Sequence, residues 1–115
     1  MSIDATIRNA ITPIVPIVKP NIYTGSEMEY CVFNYSELPT DFGDNAPHAM
    51  RYLVQLHWFA PWRTESGVAI NPNTKKKQIK QALLDADFTY PSTTNASDGE
   101  GQHFVFETEY CDGDV

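Results

Sequence analysis

From Arg51 to Phe59 (RYLVQLHWF) apolar and polar positions alternate. Tyr52, Val54, Leu56 and Trp58 fall on one side, and Arg51, Leu53, Gln55 and His57 on the other. A period of two sustained over this stretch predicts a half-buried β-strand. His103 to Cys111 (HFVFETEYC) repeats the pattern, with Phe104, Phe106, Thr108 and Tyr110 facing one way. Glu29 to Tyr35 (EYCVFNY) is rich in strand formers and sets Cys31, Phe33 and Tyr35 against Tyr30 and Val32. Two stretches carry helical spacing instead. Ile3, Ile7, Ala10 and Ile11 share a face behind the capping residue Ser2, until Pro13 and Pro16 stop the pattern. Asn71-Pro72 offers a cap and a proline at the first helical position, and Ile79, Ala82, Leu83 and Ala86 carry a helix from Lys75 to about Ala86.

The intervening segments read as connections. Ile14 to Tyr23 is extended and punctuated by proline, and Gly25 marks a turn. Ser36 to Ala49 (SELPTDFGDNAPHA) has two prolines, a glycine and several turn formers, which predicts a loop long enough to be functional. A second loop, Ala60 to Ile70, holds Trp62, Arg63 and Gly67. Phe88 to Tyr90 suggests a short strand ended by Pro91, and Ser92 to Gly101 a polar turn region. The expected order is helix, strand, strand, helix, strand, strand, with no internal repeat. That order predicts an α+β fold, an antiparallel sheet of about four strands with two helices packed on one face.

Composition narrows the functional classes. The chain has 115 residues, enough for a single domain over residues 1–115, and its 42% hydrophobic and 20% charged content is that of a folded chain rather than a disordered one. A net charge of −7 argues against a general phosphate-backbone binder, which needs a basic footprint, and no sequence-specific nucleic-acid partner is expected. No apolar run approaches the roughly 20 residues of a membrane helix, so no membrane partner is expected. The N-terminal stretch lacks the apolar core of a signal peptide, which implies an intracellular chain at synthesis. In that setting Cys31 and Cys111, which share no ligand spacing, read as reduced, buried packing residues, and the sequons at Asn34 and Asn95 carry no meaning.

Catalytic signatures are missing. There is no GxSxG elbow and no cysteine motif, and the glycines form no phosphate-binding loop. Glu107 and Glu109 stand two apart on a predicted strand, which places both on the solvent face. Of His48, His57 and His103, the last two lie on predicted strands. If those strands pair, His57, His103 and Glu107 share a face and offer two imidazoles and a carboxylate to a divalent metal. Ordinary half-exposed strand histidines fit the pattern as well, and no catalytic, metal or cofactor residue is assigned.

Charge and loop anchors are more informative. Lys75, Lys76, Lys77 and Lys80 form the one basic cluster; a nucleic-acid patch is the functional reading and a solvated helix face the favoured plain one, with a surface for an acidic partner as a further alternative. From Gln81 onward there are eight acids (Asp85, Asp87, Asp98, Glu100, Glu107, Glu109, Asp112 and Asp114) and no lysine or arginine. A subunit with a basic and an acidic region can join head to tail and close into a ring. An ordinary monomer with an acidic end is the other reading. Leu38, Phe42 and Met50 in or beside the first loop, and Trp62 and Arg63 in the second, are candidate interface anchors or parts of a lid over the core.

Three stretches carry a resemblance: the opening helix followed by IVPIVKPNIYTG, the strand RYLVQLHWFAP, and NPNTKKKQIKQALLDADFTYPSTTNASDGEGQHFVFETEY. Together they cover most of the chain and resemble the small tail-completion or tail-terminator (neck) proteins of long-tailed bacteriophages and prophages. The resemblance implies a structural, non-enzymatic virion protein, assembled in the bacterial host cytoplasm and placed at the neck or tail. There it would form a hexameric ring between the tail tube and the head-connector proteins. An acidic lumen would let DNA pass without sticking. Two readings from other classes stand beside it. One is a small metal-dependent enzyme using His57, His103 and nearby acids; the other is an acidic adaptor or inhibitor.

Overall fold

The computed structural model describes residues 2–43 and 46–112, with side chains throughout except at 40–48. In chain order the elements are α1 (Ile3–Ile11), β1 (Val18–Pro20), β2 (Tyr30–Gly43), β3 (Ala46–Ala60), α2 (Asn73–Asp85), β4 (Ser92–Asn95) and β5 (Gln102–Asp112). The class is α+β, and both helices contribute to the same core. The sheet differs from the expectation in having five strands, ordered β1-β2-β3-β5-β4, and in being mixed: β1 runs parallel to β2, and all other pairs are antiparallel.

α1 begins where the Ser2 hydroxyl accepts the Ala5 N–H at 3.2 Å, and Asp4 sits favourably in its first turn. Ile3, Ile7 and Ile11 are its buried face. Asn71, the expected cap, lies one position before the observed one: Pro72 is the N-cap rather than the first helical residue, and the Asn71 Oδ1 accepts the Asn73 N–H at 2.9 Å. α2 buries Ile79 and Leu83. These five side chains join Phe33, Leu56, Trp58, Phe104 and Phe106 in one core on one side of the sheet. Each such large side chain contributes roughly 1.5–3 kcal/mol by leaving water. The strand phases of β2, β3 and β5 are those the alternation predicts, with Cys31, Phe33, Val54, Leu56, Trp58, Phe104 and Phe106 inward.

Four sequence expectations are corrected. The expected loop from Ser36 to Ala49 is strand at 36–43 and 46–49, with residues 44 and 45 outside the described residues: β2 and β3 continue in register from Tyr30↔Phe59 to Gly43↔Ala46. One of its two prolines sits where the ladder tolerates it. Cys31 donates to the Ile17 carbonyl and Phe33 accepts from Asn21, so odd-numbered residues of β2 turn their backbone groups away from β3. Pro39 is in that phase and costs the β2–β3 ladder no hydrogen bond. Second, Val18–Pro20, read as part of an extended connection, is a strand. Third, the short strand expected at Phe88–Tyr90 is displaced. Phe88 still closes the end of α2 by donating to the Leu83 carbonyl, whereas Ser92–Asn95, expected as turn, pairs with β5. Fourth, Cys111 is exposed, and only Cys31 is buried.

Among the described residues β3 pairs with β5 as far as Met50↔Asp112, while β2 and β3 continue beyond Pro39↔Met50 as a two-stranded ribbon. A 15-residue strand is about 50 Å long, which accounts for the elongated dimensions of 61 × 26 × 23 Å.

Candidate functional site

Because both helices pack on the inward side, the outward face of the sheet carries no helix. Register decides what lies on it. Tyr30 pairs with Phe59 and Phe59 with His103, which sets three rings in a row across β2, β3 and β5. Tyr23 extends the row from the preceding loop. Centroid separations are 4.7 Å from Tyr23 to Tyr30, 4.9 Å from Tyr30 to Phe59 and 4.1 Å from Phe59 to His103. The Tyr30–Phe59 and Phe59–His103 pairs are stacked and the Tyr23–Tyr30 pair is tilted, arrangements favourable beyond their area alone. Gly25 makes room for this end of the row, since a Cβ there would overlap the Tyr23 hydroxyl, which accepts the Glu27 N–H at 3.2 Å. The next row is Val32, His57 and Val105, and the one beyond it is Asn34, Gln55, Glu107 and Ser92. The face therefore grades from aromatic to polar along the strands. Its polar part borders an open groove of about 600 Å³ rimmed by Tyr90 and Glu109.

His57 and His103 are diagonal neighbours on this face, and His57 Nδ1 lies 2.8 Å from His103 Nε2. Their ring centroids are 5.1 Å apart, little more than the N···N distance plus two ring radii, so the nitrogens meet end to end. Such a contact needs one donor and one acceptor, so at least one imidazole is neutral. Burial lowers the pKa of both rings. For His57 the neighbouring His103 adds to the effect and Glu107 opposes it; for His103 Asp98 opposes it.

The metal triad that strand pairing would have allowed does not gather. His57, His103 and Glu107 do share the face, but Glu107 stands a row away, opposite Gln55. The two imidazole nitrogens point at each other rather than at a common third point. Among the described residues no group of three or more His, Cys, Asp or Glu could hold a metal ion. Glu107 and Glu109 are both on the outward face, and Glu109 pairs with Arg51 at 3.2 Å.

The structure places the other singled-out residues as follows. Leu38 lies on β2 and is 41% exposed, and Met50 lies on β3, opposite Pro39. The side chains of Phe42 and His48 lie outside the described residues. Trp62 is exposed but tethered, its Nε1 donating to the Asp98 carbonyl at 2.7 Å. Arg63 closes its own loop, with Nη1 donating to the Gly67 carbonyl and a bridge to Ala69. Three of the four clustered lysines meet groups of this chain. Lys75 pairs with Glu29 at 2.7 Å, Lys76 lies 4.7 Å over the Phe104 ring, and Lys80 lies 5.8 Å over the Tyr90 ring. Lys77 is exposed.

Sequence reasoning missed the aromatic row. Tyr30 and Phe59 occupy the supposedly polar phase of their strands, and large rings in that phase are the signal that the second face is not an ordinary solvated one. No protein-family model matches the chain, and no curated protein matches it. Among the described residues no helix is long and apolar enough to cross a membrane.

Proposed function

We propose that the protein is a structural, non-enzymatic subunit that associates with copies of itself and docks on neighbouring proteins. The tail-completion and tail-terminator proteins of long-tailed phages, which its sequence resembles, are the pattern for this reading. The observation that carries it is the aromatic row on a sheet face without helices, in a molecule whose β2–β3 ribbon projects past the rest of the sheet. An isolated two-stranded ribbon is marginal in water, so a ribbon of this kind is best explained by a partner that packs on it. The ribbon and the aromatic row lie toward opposite ends of β3, at Ala46–Met50 and at Phe59. Two different surfaces on one subunit join head to tail, and such contacts close into a ring when the rotation permits. In this reading the partners are further copies, the tail tube and the head connector, and the place of action is the virion neck.

Mass in solution over roughly a hundredfold range of protein concentration, with negative-stain images of the same samples, tests the reading. Discrete rings of about six subunits are the expected result. A strict monomer throughout, with no rings in the images, overturns self-association.

A further inference from the structure

His57 and His103 present a nitrogen each to the other on the sheet face that no helix covers. Both lie inside long strands, β3 and β5, so the backbone ladder fixes where the two rings start. Phe59 packs against both, with centroid separations of 6.3 Å to His57 and 4.1 Å to His103 and interplanar angles of 12° and 19°. Val32 and Val105 flank His57 in its own row. The pair is thus held in place by apolar neighbours that offer it no hydrogen-bonding side chain.

A neutral imidazole carries a lone pair on one nitrogen and a proton on the other, so the 2.8 Å contact holds one proton between two rings. A divalent ion bound by two imidazoles at about 2.0–2.1 Å, with an angle of about 90–110° at the ion, sets its donors about 2.8–3.4 Å apart. The observed separation already falls at the square-planar end of that range. Only direction must change, because the nitrogens aim at each other. Tilting both rings toward solvent turns the lone pairs to a common point, and the broad χ2 torsion of histidine allows it. The surroundings favour the exchange. Burial lowers both pKa values, which leaves the rings neutral at neutral pH, and the carboxylates that act on them, Glu107 on His57 and Asp98 on His103, attract a cation.

We propose that His57 Nδ1 and His103 Nε2 form a two-imidazole site for one divalent transition-metal ion, copper(II) ahead of nickel(II) and zinc(II), with water in the remaining positions. The order follows the general ranking of these ions for nitrogen donors and the tetragonal preference of copper. Binding moves the shared proton to the far nitrogen of the ring that carried it, so two neutral rings take up the ion without net proton release. At lower pH protons compete with the ion for the same lone pairs. With two positions supplied by the protein, the ion stays open to a further ligand on the uncovered face. The proposal does not rest on ring formation.

Titration of the full chain with copper(II) chloride, followed by electron paramagnetic resonance, tests it. Magnesium chloride is the control, and Cys111→Ser in every protein used removes the exposed thiol as a rival ligand. The expected result is one equivalent of copper whose spectrum shows coupling to two imidazole nitrogens, displaced weakly by nickel(II) or zinc(II) and not by magnesium. His57→Gln and His103→Gln, each checked for folding by circular dichroism, should weaken that equivalent more than about tenfold, since loss of even an outer partner of a ligand costs about that much. His48→Gln should leave it unchanged. A folded His57→Gln or His103→Gln protein that binds copper like its parent, coupling to fewer than two imidazole nitrogens, or loss of the equivalent in His48→Gln overturns the proposal.

Discussion

Glu29 accepts the Trp58 indole N–H at 3.1 Å and the Lys75 ammonium at 2.7 Å on the same carboxylate oxygen, and the two contacts differ in weight. Trp58 is 1% exposed, so removing its acceptor leaves a buried donor unsatisfied, a loss of about 1–3 kcal/mol. The ion pair is about a third exposed on each side, and pairs of that kind contribute only about 0–1 kcal/mol. Glu29→Ala should therefore lower unfolding free energy by about 1–3 kcal/mol in urea titrations, and Lys75→Met by less than about 1 kcal/mol. The histidine pair sets a pH dependence. Both pKa values are lowered in the folded state, so folding favours the neutral rings. Their contribution is complete above the unfolded value of about 6.5 and is lost as pH falls below it. Protonating both rings also destroys the end-to-end contact. The melting temperature should fall by a few degrees more between about pH 7.5 and about pH 5 in the wild type than in the His57→Gln, His103→Gln double variant. Equal falls in the two proteins would show that the carboxylates alone set the acid sensitivity.

At the scale of elements, the β2–β3 ribbon can be removed with the loss of only the last β3–β5 pair, Met50↔Asp112. Even-numbered residues of β2 exchange backbone hydrogen bonds with β3, so Leu38↔Arg51 is a closely spaced pair that a two-residue turn can close. Replacing residues 39–50 by Asn-Gly should leave the melting temperature within a few degrees of the wild type, since the core lies elsewhere, and should abolish association. Association that survives the replacement assigns the contact to the sheet face. The same elements show how far sequence could be read. β3, β5 and α1 declare themselves because one face is buried and the other is not, which writes a period into the chain. The segment of the ribbon shows no such alternation in its sequence, and Pro39, Pro47 and Gly43 imitate a loop. β1 is three residues held by backbone bonds to β2, and β4 is Ser-Thr-Thr-Asn at a sheet edge, so neither needed apolar alternation. The candidate sites were hidden for another reason. Tyr30, Phe59 and His103 meet only through register, and register is a property of the assembled sheet rather than of any one segment.

For the whole molecule, the sign of the salt dependence decides how copies would meet. The chain carries a net charge of −7, so like-charged subunits repel at low ionic strength. Head-to-tail pairing of a basic patch with an acidic one would overcome that repulsion only if the lysines were free to reach a partner. Lys75 is held by Glu29, and Lys76 and Lys80 lie over Phe104 and Tyr90, which leaves Lys77 as the exposed member of the cluster. The acids are also dispersed: Asp85 ends α2, Asp98 and Glu100 sit in the turn before β5, and Glu107 and Glu109 stand on the outward face. A contact built on the aromatic row would bury ring surface and be opposed by net charge. Screening shortens the reach of that repulsion from about 10 Å at 0.1 M salt to about 3 Å at 1 M. Association measured by light scattering should therefore strengthen as salt rises across that range, the opposite of what charge pairing requires. Weakening with salt would return the contact to the lysines, and Lys77→Glu would then be the variant expected to dissociate it.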